Sequence, residues 1–233
     1  MSNILQNLHQ KTFRLETIVT EQKTPFYSIK KSYAREVEVY YYGKVKDEHD
    51  FQILVTDFIF SEEEGTMDKF LKKISYLFDE IECKVDAEGN ITSVDNLLFL
   101  RVRWGKIQAD LSETHQGEAV DRYFSQISSL LEDEMKLIDF LGSYTMFGLL
   151  FNGLLESFDA KRKRESSDGF TEITTPVKDG DKMILKISAE NLEQTNTEDF
   201  KGLFVCIRDH FEEGFIEIKK DNFHLKHSLL WVG

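Results

Sequence analysis

The hydrophobic period of this chain changes twice along its length, and those changes limit its fold more than any other feature. In EVEVYYYGKV, Val37, Val39 and Tyr41 alternate with Glu38, Tyr40 and Tyr42, and in DFQILVTDFIF (50–60) Phe51, Ile53 and Val55 share one parity. Successive side chains of a strand point to opposite faces, so a period of two separates a buried set from an exposed one. TFRLETIVT (12–20) and TPFYSIKKSY (24–33) carry the same aromatic and β-branched bias. Four such strands with short connections predict an antiparallel meander.

From Met67 the spacing becomes three and four: Phe70, Leu71, Ile74, Leu77, Phe78 and Ile81 follow. This predicts a helix over 67–81 that packs one stripe on the sheet. IECKVDAEGNITSVDN then predicts a hairpin turning at Glu88-Gly89-Asn90. Asp95 or Asn96 can cap a second helix with Leu97, Leu100, Trp104, Ile107 and Leu111 along one side. A third begins at Glu118, its inner face running through Val120, Tyr123, Phe124, Ile127, Leu130, Leu131, Met135, Ile138 and Leu141.

That helix leads into FLGSYTMFGLLFNGLL (140–155), a run without charge in a chain of which 30% is charged. Its helical length, about 24 Å at about 1.5 Å per residue, falls short of the roughly 20 residues that cross a bilayer. Asp139, Glu156 and Asp159 flank it. A helix apolar on every side is normally buried on every side. The run therefore reads as a central core helix, broken or bent near Gly142 or Gly148, whose small residues at 142, 145, 148 and 153 admit close neighbours. Were it exposed, it would instead be a ligand or partner surface.

AKRKRESSDG (160–169) reads as a loop, and the basic residues at 161–164 as a solvated stretch beside a helix C-terminus. Strands return after it in FTEITTPV, DKMILKISAE, KGLFVCIRDHF, GFIEIKK and NFHLKHSLLWV. Turns are expected at Lys178–Asp181, near Asn191–Asp199, at Glu212–Gly214 and at Asp221-Asn222. The fold class is α+β: about four N-terminal and about five C-terminal antiparallel strands flank a helical middle. The two groups form either one curved sheet packed on helices or two subdomains. A single domain over 1–233 is expected, divisible into β-rich 1–95, helical 96–160 and β-rich 161–233.

Forty-two acidic residues against 29 basic ones give a formal charge of −13. Binding to a phosphate backbone rests on Lys and Arg, so nucleic acid is excluded as a general partner and a basic protein is favoured. Cys83 and Cys206 belong to no ligand spacing and read as buried free thiols. MSNILQNLHQKTF lacks the basic and apolar regions of a secretory signal, which gives a cytoplasmic expectation.

No constellation carries a chemical signature. DEHD (47–50) lacks the spaced donors of a calcium loop, and SEEEG (61–65) reads as the approach to a helix. His224 and His227 of HLKH fall on opposite faces of a strand and cannot share an ion. DHFEE (209–213) reads as an acidic turn around His210. A nucleophile elbow, a dinucleotide fingerprint and a P-loop are all missing, and no cofactor or metal is expected.

Three functions follow, in order of support. The first is a non-enzymatic protein-binding module of the immunity, chaperone or adaptor type, acting on a basic protein. Its contact residues would be Tyr40, Tyr42, Asp47, Glu48 and Asp50, with Tyr27 and Tyr33 nearby in sequence. The second is a carrier holding an apolar small molecule between curved sheet and helices. An enzyme with scattered site residues ranks last.

Overall fold

The first and last strands of the chain lie side by side in the middle of one antiparallel sheet. The structure is a computed structural model and describes residues 10–61, 66–151, 160–166, 168–207 and 210–233. Strands β1 (Gln10–Thr24), β2 (Tyr27–Val45), β3 (Glu48–Phe60), β4 (Glu80–Val85) and β5 (Ile91–Val94) step outward from the centre to one edge. The chain then passes through helices and reaches the opposite edge as β6 (Arg162–Glu165). From there β7 (Thr171–Asp179), β8 (Lys182–Glu190), β9 (Asp199–Ile207), β10 (His210–Lys220) and β11 (Phe223–Trp231) step back to the centre. There β11 pairs with β1 from Phe13 opposite Trp231 to Glu21 opposite Phe223. Thr12 N–H donates to the Gly233 carbonyl (2.7 Å) and Val232 N–H to the Thr12 carbonyl (2.9 Å), extending the seam. The two strand groups are thus one 11-stranded sheet.

Period two is realised as one buried face. Phe13, Leu15, Val37, Val39, Phe51, Ile53, Ile81, Cys83, Leu185, Ile187, Phe204, Ile216 and Leu229 all point inward and are buried. Against them pack α1 (Thr66–Ser75), α2 (Leu97–Thr114), α3 (Glu118–Glu132), α4 (Glu134–Gly142) and α5 (Gly148–Phe151). Phe70 of α1 lies 5.9 Å from the ring of Phe124, and Phe78 lies 5.2 Å from Phe140. No helix among the described residues is long and apolar enough to cross a membrane.

Several boundaries differ from the sequence reading. The segments read as separate strands over 24–33 and 36–45 join in the single strand Tyr27–Val45, because Ala34 and Arg35 between them are buried and paired rather than turning. The helix expected over 67–81 ends at Ser75, followed by a 3-10 turn over Tyr76–Phe78, and Ile81 is already in β4. The long helix from Glu118 is interrupted where the Asp133 side chain accepts from the N–H groups of Met135 and Lys136, starting α4 afresh. The basic residues expected in a loop form edge strand β6, paired with β7. Glu212–Gly214 lie within β10 beside a bulge, and a Cβ at Gly214 would overlap the Phe204 ring.

The uncharged run is the plug of the curved sheet. α4 stops at Gly142, the chain reverses through 143–147, and α5 resumes at Gly148. Phe147 N–H donates to the Leu141 carbonyl (3.0 Å) and Gly148 N–H to the Ser143 carbonyl (2.9 Å). Met146, Phe147, Leu149, Leu150 and Phe151 are buried, with Phe151 edge-on to Phe51 at 5.3 Å. A Cβ on Gly148 would overlap the Gly142 carbonyl oxygen, so the reversal requires glycine there. Residues 152–159, including Asn152, Gly153, Leu155, Glu156 and Asp159, lie outside the described residues, as do 62–65 and Asp209.

Two substitutions test this packing by urea denaturation. Phe147→Ala is expected to cost about 3–5 kcal/mol, as for a buried aromatic truncated to a cavity. Gly148→Ala is expected to cost about 1–3 kcal/mol although it adds only a methyl group, because the overlapping atoms are backbone. A loss below about 0.5 kcal/mol, the ordinary range for surface positions, in either variant would contradict the packed reversal.

Candidate functional site

The outer face of β2–β5 gathers most of the residues expected to contact a partner. Tyr40 is half-buried beside Glu38; its hydroxyl donates to Glu38 Oε2 (2.6 Å) and accepts from Gln10 Nε2 (2.9 Å). The bond to Glu38 pushes the Tyr40 hydroxyl above its ordinary pKa. A bulge between Tyr41 and Gly43, where Gly43 has φ 121°, carries the neighbouring Tyr42 outward. Tyr42 is 68% exposed and donates to Gln52 Oε1 (2.7 Å), and Gln52 Nε2 donates to Glu80 Oε1 (2.9 Å). Asp50 accepts from Lys84 Nζ (3.2 Å), which also reaches Asp95 (2.8 Å); both carboxylates raise the lysine's pKa. Glu48 accepts from the Thr92 hydroxyl (2.7 Å). Asp47 stands exposed in the turn between β2 and β3.

Strand alternation also settles what this patch is not. His49 points inward, is buried and bonds the Tyr41 hydroxyl at 3.0 Å, so DEHD does not converge on one point. Burial, with Lys44 nearby, lowers the His49 pKa. Tyr33 lies on the inner-facing parity of β2, and Tyr27 is 13 positions from Tyr40, or roughly 40 Å at about 3.3 Å per residue. Neither joins the patch. Glu38, Gln52, Glu80 and Glu82 do, and their parity with Tyr40 was the available signal. Among the described residues, no group of three His, Cys, Asp or Glu side chains is placed to hold a metal ion. Cys83 is buried, and burial raises its thiol to about 12.

The inner face carries polar groups that local sequence does not reveal. Arg35 is buried; Nη2 donates to the Thr145 carbonyl (2.6 Å), Nη1 lies 3.2 Å from Met146 Sδ, and the guanidinium sits 5.6 Å from the Phe147 ring centre. Burial lowers it to about 10, so it stays charged at neutral pH with no carboxylate bound to it among the described residues. His227 is 1% exposed, shares a 2.9 Å hydrogen bond with Thr17 across the seam, and stacks with Tyr144 at 6.3 Å. His224 faces the other side, next to Glu217. Burial, and secondarily Arg35, pulls His227 down to about 4.

No protein-family profile matches this sequence, and no curated protein matches it. Among solved structures, a lipovitellin studied for lipid–protein interactions superposes with a TM-score of 0.45 at 8% identity, over 96% of this chain and 25% of that one. The Rv2717c protein of M. tuberculosis superposes with a TM-score of 0.30 at 9% identity, over 100% and 99%. This chain therefore spans about a quarter of the lipovitellin chain.

The His227 environment gives a pH prediction. A histidine held neutral in the folded state and protonated near pH 6.5 when unfolded stabilises the fold above about pH 6.5, and that stability is lost as pH falls toward about 4. Between these values, wild-type stability is expected to fall more steeply than that of His227→Asn, by up to about 1.4 kcal/mol per pH unit. Parallel curves for the two proteins would show that His227 protonates freely in the fold.

Proposed function

We propose that the chain is a non-enzymatic binding module that engages a basic segment of another protein through the outer face of β2–β5. The observation that carries this reading is the constellation of Glu38, Glu48, Asp50, Glu80 and Glu82 around Tyr40 and Tyr42, on strands whose other face is anchored in the core. Tyr42 supplies an exposed ring with its hydroxyl already oriented by Gln52, and the carboxylates supply acceptors for lysine and arginine. A sheet presents these groups at fixed spacing, so binding costs little ordering entropy. The overall charge of −13 adds long-range attraction to a cationic partner.

Octalysine serves as the probe. Binding to the wild type is expected to weaken by about tenfold from 50 to 300 mM salt, because added ions screen exposed charges. Removing three outer-face charges together, with Glu38→Gln, Glu48→Gln and Glu82→Gln, should weaken binding at 50 mM salt by about tenfold, a loss set by interfacial charge complementarity. The control Glu113→Gln, Asp121→Asn and Glu132→Gln removes the same charge from the helices and should change it by less than about twofold. Equal losses in both triple variants would reduce the effect to net charge and contradict a defined face.

A further inference from the structure

A cleft of about 470 Å³ opens between the 143–145 reversal and the β6–β7 hairpin, within the size range of small-molecule sites. Ile91 of edge strand β5 and Arg164 of edge strand β6 both line it, so the sheet curls far enough for its two edges to border one space. An apolar stretch of its wall is formed by Ile138, Phe151, Phe170, Phe200, Ile218 and Leu225. Phe170 and Phe200 meet at 4.8 Å and form a continuous aromatic surface.

Polar groups converge at one place in this cleft. Glu172 is 5% exposed, and its Oε2 accepts from the Tyr144 hydroxyl (2.7 Å) and from Arg164 Nη2 (3.0 Å). The same Nη2 lies 3.2 Å from the Tyr144 oxygen. These bonds fix the Arg164 guanidinium by one nitrogen. Nη1 and Nε have no protein partner among the described residues, and the side chain, 32% exposed, borders the cleft. An arginine anchored through one nitrogen and open along the adjacent N–H edge is a preorganised donor pair for a planar anion.

The cleft is lined by Arg164 and Lys220 and by Asp139, Glu165, Asp168 and Glu172, so an anion is placed by the open edge of Arg164 rather than by net charge. Arg35 lies behind the floor, bonded to the carbonyl of the cleft residue Thr145 and, among the described residues, paired with no carboxylate. Of the two arginines, Arg164 alone bonds the buried Glu172 carboxylate, and Arg35 adds a positive charge behind the Thr145 carbonyl. Lys220 and Asp168 neutralise each other at the mouth (2.6 Å), Glu165 accepts from the Thr171 hydroxyl, and Asp139 is exposed to solvent. His227, neutral behind Tyr144, adds no charge at pH 7.

We propose that this cleft binds an organic monocarboxylate with an apolar body. Its carboxylate lies on the open edge of Arg164, and its body runs along Phe170, Phe200 and Leu225. The site is independent of the outer face, and its test uses a different ligand. Decanoate and 1-decanol serve as probes sharing one apolar chain, compared by native mass spectrometry and calorimetry on the full chain. Decanoate is expected to bind one-to-one at least about tenfold more tightly than decanol, the margin of a charge-assisted contact. R164M/E172Q, which removes both members of the buried pair together, should abolish that margin while leaving decanol uptake unchanged. Should that variant lose the wild-type circular dichroism spectrum, R164K decides, because it keeps a cation beside Glu172 but loses the two-donor edge; it too should lose most of the margin. Absence of decanoate binding, equal affinity for the two probes, or a wild-type margin in the variant that folds would overturn the proposal.

Discussion

Pairing between β1 and β11 holds together two halves in which each strand pairs with the next along the chain. β1 to β5 pair in sequence order, with α1 inserted between β3 and β4, and β6 to β11 do the same, but the seam joins Phe13 to Trp231 across almost the whole chain. Closing so long a loop is entropically costly, though the cost grows only with the logarithm of its length. The return is large. Without the seam β1 would present a long unpaired row of N–H and C=O groups, and the Thr17–His227 hydrogen bond would have no second partner. The plug seals the same place from inside: Phe147 is fully buried, and the carbonyl before Met146 takes the guanidinium of Arg35 from β2.

Burial and solvent act differently on the charged groups of the inner face and of the outer face of β2–β5. Inside, charged groups are tolerated only with partners: Glu172 takes bonds from Arg164 and Tyr144, and Arg35 takes a carbonyl and an aromatic face. Among the described residues no carboxylate is bound to Arg35, which adds a positive charge behind the Thr145 carbonyl. Outside, water screens the carboxylates of β2–β4, so Glu38, Glu48, Asp50, Glu80 and Glu82 can accumulate around the two tyrosines with only Lys84 tying Asp50 to Asp95. In the readings proposed above, the acidic face and the arginine cleft take different ligands.

What the sequence revealed followed from periodicity. Val37, Val39, Phe51 and Ile53 announced a buried sheet face, and the same parity placed Tyr40 and Glu38 outside. The plug was legible from its lack of charge, and its bend from Gly142 and Gly148. What remained hidden depended on contacts between distant segments. Arg35 lies between two segments read as separate strands, and its burial is accounted for by the carbonyl of Thr145, 110 positions away. The basic residues of β6 suggested a loop, yet charge on a short edge strand also guards against unwanted pairing, and local sequence does not separate the two. Asp133 sits within an apolar stripe that continues across it, so its capping role emerged only with the bend it creates. Arg164 and Glu172, eight positions apart, meet because β6 and β7 pair in register, and Tyr144 reaches them from the plug.

The central claim is that both halves form one cooperative sheet through the seam. Amide hydrogen exchange, read by mass spectrometry across a urea series, tests it directly. Peptides covering 13–21 and 223–231 are predicted to lose protection together, at the transition that unfolds the whole chain. Loss of protection in 171–231 while 13–60 stays protected would show two independent units side by side and contradict the account.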